Sequence, residues 1–229
     1  MKNILLIGGS HGIGLSLARI LQKNHNVYIA SRTWEVTDLP NVSHLRFDAT
    51  KDFLDTSELP DQIDGFVYCP GSINLKPFKM LSLETFKEDM HLNFFSLVNV
   101  VKDIMPLLSD GSSMVFFSTV AVQTGMPFHT SVAAAKGAIE GFTKSLAAEY
   151  APRIRVNAIA PSLVDTPLSA RLLNNDKKKE MMAERHPLKR VGNTEDLAQI
   201  ARFLLSTDSA WITGQILGVD GGLSTLNVN

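Results

Sequence analysis

A doubly wound α/β fold is what this chain of 229 residues predicts, and three observations predict it. Seven short runs, at residues 3–7, 27–30, 44–47, 66–69, 114–118, 155–159 and 216–219, are apolar on nearly every residue. That pattern suits parallel strands covered on both faces. Between several of them lie longer stretches, at residues 13–23, 83–108, 132–150 and 194–205, where apolar residues recur at helical spacing. The first strand also runs directly into a glycine-rich turn with a helical pattern behind it. Strand–helix alternation of this kind selects right-handed crossovers and a seven-stranded parallel sheet within one domain spanning residues 1–229.

Taken in order, the first strand leads into Gly8-Gly-Ser-His-Gly-Ile-Gly14. Gly8, Gly12 and Gly14 permit a tight turn and close backbone approach, and the helix that follows offers free N–H groups to a pyrophosphate. Ser10, His11 and Ile13 line the same turn. The second strand ends in Ala30-Ser31-Arg32, at the place where many dinucleotide sites carry a carboxylate for the ribose 2′-hydroxyl. A hydroxyl beside a guanidinium suits a phosphate instead, which predicts NADP(H) in preference to NAD(H). The next connection, between Ser31 and Ser43, is too short for a full crossover helix and contains Pro40. The second helix of the sheet is therefore expected to be missing or reduced to a turn.

Composition bounds the function. An apolar fraction of 45% with a net charge of −1 describes a soluble globular protein with no polyanionic partner, so nucleic-acid binding is not expected. The basic triplet Lys177-Lys178-Lys179 lies in a polar stretch and reads as a solvated surface. A single cysteine, Cys69, rules out an internal disulfide and a cysteine-based metal cluster and fits a reducing compartment. The apolar run at residues 4–7 is too short for a signal peptide or a membrane span. A cytoplasmic protein with no resident metal and no membrane attachment is expected.

From Ile4 to Gly222 the chain resembles the short-chain dehydrogenase/reductase family. The resemblance rests on the Gly8–Gly14 turn, Asp48-Ala49, Gly71, Asn93, Thr119 and Lys136, while Cys69 and Pro70 before Gly71 depart from the family's Asn-Ala-Gly. It extends to Pro161-Ser-Leu-Val164-Asp-Thr166, to Arg190-Val-Gly-Asn-Thr-Glu and to the closing Asp220-Gly-Gly222. It implies a single Rossmann-type domain in which hydride moves between a nicotinamide and a carbonyl or alcohol carbon. By the same resemblance Asp48 and Ala49 hold the adenine, and Gly71 lets the backbone pass over the adenine ribose. Pro161, Val164 and Thr166 would hold the nicotinamide carboxamide, and residues 165–191 would form a substrate lid. A homodimer or homotetramer is implied, with a small-molecule substrate as the other partner.

One position breaks the pattern. The family places a proton-donating tyrosine four residues before its lysine, and here that position is Val132. Asn93, Thr119 and Lys136 match the family's remaining catalytic residues, with Ser118 a rival for the hydroxyl role. Valine can neither give nor take a proton, and general acid–base catalysis is worth about 10²–10⁴-fold. His129, seven residues before Lys136, is the candidate substitute, since imidazole exchanges protons near neutrality. Two readings remain open on sequence: an active oxidoreductase of a carbonyl or conjugated enone with an altered donor, and a catalytically impaired nucleotide-binding module. A lyase or isomerase on the same fold has no positive support. Cys69, in its apolar strand, reads as an inert thiol.

Overall fold

The computed structural model describes residues 1–36 and 38–228. Its seven strands are β1 (Asn3–Ile7), β2 (Asn26–Ser31), β3 (Val42–Arg46), β4 (Ile63–Tyr68), β5 (Leu108–Phe117), β6 (Ile154–Pro161) and β7 (Ile216–Val219). They form one parallel sheet in the order β3-β2-β1-β4-β5-β6-β7. The helices are α1 (Gly12–Leu21), α2 (Leu83–Met90), α3 (Ser96–Ile104), α4 (Ala121–Thr124), α5 (Thr130–Tyr150), α6 (Asp176–Glu184) and α7 (Thr194–Leu205). Strand order reverses between β1 and β4, and this switch point opens a crevice at the carboxyl ends of the strands.

The continuous apolar runs are explained by two separate cores. In β1, Ile4 and Leu6 face a layer built with Leu17 and Leu21 of α1 and Leu197 and Leu204 of α7. Leu5 and Ile7 face the opposite layer, with Leu97 and Ile104 of α3 and Ile139 of α5. Successive strand residues point to opposite sides, so a strand covered on both faces is apolar throughout.

No helix joins β2 to β3 among the described residues, as the shortness of that connection predicts. Trp34 instead stacks on His44, with ring centroids 5.7 Å apart, while Leu39 is buried beneath. Three expectations need correcting. Residues 83–108 do not form one helix: α2 gives way to a π-helical turn, His91–Phe95, before α3 begins. The Ser96 hydroxyl donates to the His91 carbonyl at 2.7 Å inside this turn, and Pro106 ends the helical run. Strand β5 begins at Leu108, which pairs with Ile63, and the register then shifts across polar Ser109-Asp110-Gly111-Ser112 before Ser113 pairs with Gly65. Helix α5 likewise starts at Thr130, which makes His129 its N-terminal flanking residue. None of the described helices is long and apolar enough to cross a membrane.

Candidate active site

The glycine turn sits between β1 and α1 at the switch point. Gly12 has φ 55°, a left-handed conformation that favours glycine. A Cβ on Gly14 would stand 2.6 Å from the Gly8 carbonyl oxygen, so the turn closes only without a side chain there. His11 flanks the helix start, its Nδ1 2.9 Å from the Ser10 hydroxyl, while Ile13 reaches the neighbouring cavity.

The second strand supplies a different picture from the one the residue types suggest. The Ser31 side chain is buried; its hydroxyl donates to the Thr33 carbonyl at 2.9 Å and lies 3.0 Å from His44 Nε2. Arg32 beside it is exposed. The expected pairing of hydroxyl and guanidinium is thus reduced to the guanidinium, because the hydroxyl closes the turn after β2. Asp48 lies just beyond β3 and folds back on its own loop. Its Oδ1 accepts from the Thr50 hydroxyl at 2.7 Å and the Thr50 amide at 3.0 Å. These bonds, with Lys51 and Arg32 nearby, hold its carboxyl below the usual range.

A cavity of about 260 Å³ opens at the carboxyl edge, walled by Leu75, Val132, Leu168, Leu172 and other apolar side chains. Polar groups enter it at Thr119, His129, Lys136 and Ser162. Lys136 and Val132 are one turn apart on α5 and both buried, at 7% and 5% exposure. The Lys136 ammonium donates to the Phe117 carbonyl at 2.9 Å, and burial pushes its pKa down to about 8.

Opposite it stands Asn93, delivered by the π-helical turn and fully buried. Its Nδ2 donates to the Ser72 hydroxyl and to the Asp89 carbonyl, each at 2.8 Å. Its Oδ1 is buried and has no hydrogen-bond partner among the described residues. The Asn93 Oδ1 and the Lys136 Nζ lie 3.3 and 3.2 Å from where a Cβ on Gly71 would be, so Gly71 is flanked by both.

Of the other expected residues, Thr119 stands half-exposed at the cavity and its hydroxyl accepts from the Ala121 amide at 3.3 Å. Ser118 is buried and donates to Glu140 Oε1 at 2.6 Å, so its hydroxyl is spent inside the protein. His129 lines the cavity, with Nδ1 2.7 Å from the Pro127 carbonyl. A carbonyl only accepts, so Nδ1 carries the proton and Nε2 is the nitrogen free to exchange one. Pro161 and Val164 border the cavity, and Thr166 faces Gly12, its Cβ 3.7 Å from a Cβ built there. Cys69 is half-buried just past β4, and burial pushes its thiol up to about 12. Pro70 packs against Gly8, 3.2 Å from a Cβ built there, while Ala49 packs on the core.

Several groups at this site were not singled out from sequence. Ser162 Oγ lies 2.9 Å from His186 Nε2, and His186 Nδ1 lies 2.8 Å from the Met182 carbonyl. Asp89, Ser72, Asn74 and Ser131 form a second buried polar cluster. The one available signal for Asp89 was its spacing: it precedes Asn93 by four residues, which places both on one helical face.

The comparisons with known proteins agree with this geometry. Residues 35–224 match a family model described as enoyl-(acyl carrier protein) reductase. The chain is 32% identical to the 3-oxoacyl-[acyl-carrier-protein] reductase FabG of Chlamydia trachomatis over 97% of each chain. It is 34% identical to carbonyl reductase family member 4 of Danio rerio, covering 97% of this chain and 98% of that protein. Among solved structures, a short-chain dehydrogenase family protein of Francisella tularensis superposes with a TM-score of 0.90 at 29% identity, covering 99% and 100% of the two chains. ElxO with NADP bound gives 0.85 at 25% identity, over 98% and 99%. With relatives matching along nearly its whole length, and with the glycine turn and the Asn93–Lys136 pair in place, the chain belongs to the short-chain dehydrogenase/reductase family of oxidoreductases.

Proposed function

We propose that this protein is an NADP(H)-dependent oxidoreductase acting on a carbonyl/alcohol pair or a conjugated enone, with His129 in place of the usual phenolic proton donor. The observation that carries the reading is the convergence of Lys136 and the unpartnered Asn93 Oδ1 beside Gly71, at an apolar cavity that Val132 lines. A module that only bound nucleotide would not need Asn93, Thr119 and Lys136 together.

The residues present fit a nicotinamide dinucleotide. The Gly14 position leaves room only for backbone, and the buried Asn93 Oδ1 lacks a donor. Gly8, Ser10, His11, Gly12, Ile13 and Gly14 would hold the pyrophosphate. Arg32, with Ser31 shaping the strand end, would take a 2′-phosphate. Asp48 and Ala49 would hold the adenine. Cys69, Pro70 and Gly71 would border the adenine ribose. Pro161, Val164 and Thr166 would hold the carboxamide, and Lys136 the nicotinamide ribose. When bound, the cofactor supplies or accepts hydride. In our reading the Thr119 hydroxyl binds the substrate oxygen and His129 Nε2 exchanges its proton. Residues 165–191 serve as a lid, which the placement of Leu168, Leu172 and Met182 at the cavity supports. A homo-oligomer in the cytoplasm completes the reading.

The alternative is a catalytically impaired nucleotide-binding homologue, favoured by one observation: Val132 occupies the wall where a proton donor would stand. The test is a turnover screen on aldehydes, ketones and enones with NADPH, comparing the wild type, His129→Ala and Val132→Tyr. Activity in the wild type that falls in His129→Ala supports the enzyme. A silent wild type with activity gained in Val132→Tyr supports the impaired homologue.

A further inference from the structure

Asp89 is the buried ionisable group that the mechanism above leaves without a role. It sits on α2 at 1% exposure, and no cation is paired with it among the described residues. Three neutral donors satisfy it instead. The Ser72 hydroxyl and the Asn74 side-chain amide donate to Oδ1, at 2.5 and 2.7 Å. The Ser131 hydroxyl donates to Oδ2 at 2.5 Å. Two hydroxyls and an amide N–H, all able to donate, surround its oxygens, an arrangement that suits a carboxylate. Removing a carboxylate from water is costly unless it is compensated, so a buried charge of this kind needs an opposite charge within reach.

An ammonium lies just beyond the end of the hydrogen-bond chain, which stops at Asn93. Ser72, which lines the cavity, accepts from Asn93 Nδ2, and Asn93 Oδ1 shares the Gly71 face with the Lys136 ammonium. Ser131 also belongs to α5, one turn before Ala135 and five residues before Lys136. Asp89 is thus tied to α5 through Ser131, and Ser72 and Asn93 stand between it and Lys136 of the same helix.

We infer that Asp89 is a positioning residue, the internal counter-charge that keeps Lys136 an ammonium and aims it at the cavity. The consequence for catalysis rests on the reading that Lys136 grips a cofactor ribose. The inference about charge rests on the placement of Asp89 and Lys136 on either side of Asn93 and Gly71. Other ionisable groups face Lys136 too. Cys69, after β4, is held as a neutral thiol by burial. Glu140, one turn further along α5, is engaged by the Ser118 hydroxyl. His129 stands at the start of α5, turned to Pro127. Burial lowers the Lys136 pKa, and Cys69 first and Asp89 second raise it against that burial.

The experiment is an NMR titration of the Lys136 side-chain nitrogen in ligand-free protein, for wild type, Asp89→Asn and Ser72→Ala. Asp89→Asn keeps the shape and removes the charge. We expect its Lys136 midpoint to fall by about one unit from the wild-type value, with a smaller fall in Ser72→Ala. NADPH affinity, followed by fluorescence over the same pH range, should then begin to weaken about one unit lower in Asp89→Asn while matching wild type at acid pH. An unmoved Lys136 midpoint in Asp89→Asn overturns the inference, and so does an unmoved midpoint in Ser72→Ala if Asp89→Asn fails to fold. A displaced midpoint in a protein that binds no nicotinamide cofactor upholds the counter-charge and rejects the proposed function instead.

Discussion

The glycine turn after β1 and the first turns of α5 stand at the same carboxyl edge of the sheet, yet they work by opposite means. The turn acts through backbone: Gly14 exists because a Cβ there would strike the Gly8 carbonyl. The start of α5 acts through side chains: a buried ammonium, a buried valine one turn before it, and an imidazole at the helix mouth. A backbone site tolerates nothing at its glycines but little depends on its side chains. A side-chain site can lose one role, as at Val132, and keep the others. The comparison teaches that cofactor grip and proton transfer are separable here.

The strongest way to sharpen that separation is Val132→Tyr. Placed on a His129→Ala background, it should raise carbonyl reduction by about 10²–10⁴-fold while NADPH affinity stays within about 2-fold, measured by steady-state kinetics and fluorescence titration. Loss of cofactor affinity in step with the rate would break the comparison, since the two functions would then share one residue.

Lys136→Met attacks the side-chain site from its charged end. NADPH affinity should fall about tenfold or more, because a charged hydrogen bond is worth about 1.5–3 kcal/mol. Stability should move the other way. The folded-state pKa of about 8 lies below the ordinary 10.5, so the native state sheds this proton first. Stability therefore rises with pH between those values, and the full cost of the buried charge is present below about pH 8. Denaturant melts should show Lys136→Met more stable than wild type at neutral pH, by up to about 3 kcal/mol. The gain should shrink as pH rises past 8. A gain that is the same at every pH would mean that the charge is not its source.

Gly14→Ala tests the backbone site. The collision with the Gly8 carbonyl should cost about 1–3 kcal/mol of stability and open the turn, weakening NADPH and NADH alike. Arg32→Ala is the smallest of these changes. It should weaken NADPH about tenfold and leave NADH unchanged, since the guanidinium addresses only a 2′-phosphate. Equal effects on both cofactors would remove Arg32 from the selectivity argument.

The same contrast explains what sequence could and could not reveal. Backbone demands are written in residue type, so the Gly8–Gly14 turn, the uninterrupted apolar strands and the helix-free β2–β3 connection were legible. Val132 was legible only as an apolar residue four positions before Lys136. The tertiary bonds were not. Ser31 carries a hydroxyl suited to phosphate, but only the fold shows it committed to Thr33 and His44. Asp89, Ser72 and Ser131 come from three distant places in the chain, and nothing local marks them as one cluster. The π-helical turn at Asn93 was hidden because a continuous apolar periodicity reads as one helix, while the bulge depends on Ser96 bonding back to His91.

The central claim is that His129 has taken over the proton while the cofactor site is intact. Single-turnover NADPH oxidation, with a substrate turned over by the wild type, tests it in wild type and His129→Ala. The account predicts a rate at least about tenfold lower in His129→Ala, with NADPH affinity unchanged. An equal rate in the two proteins would contradict it.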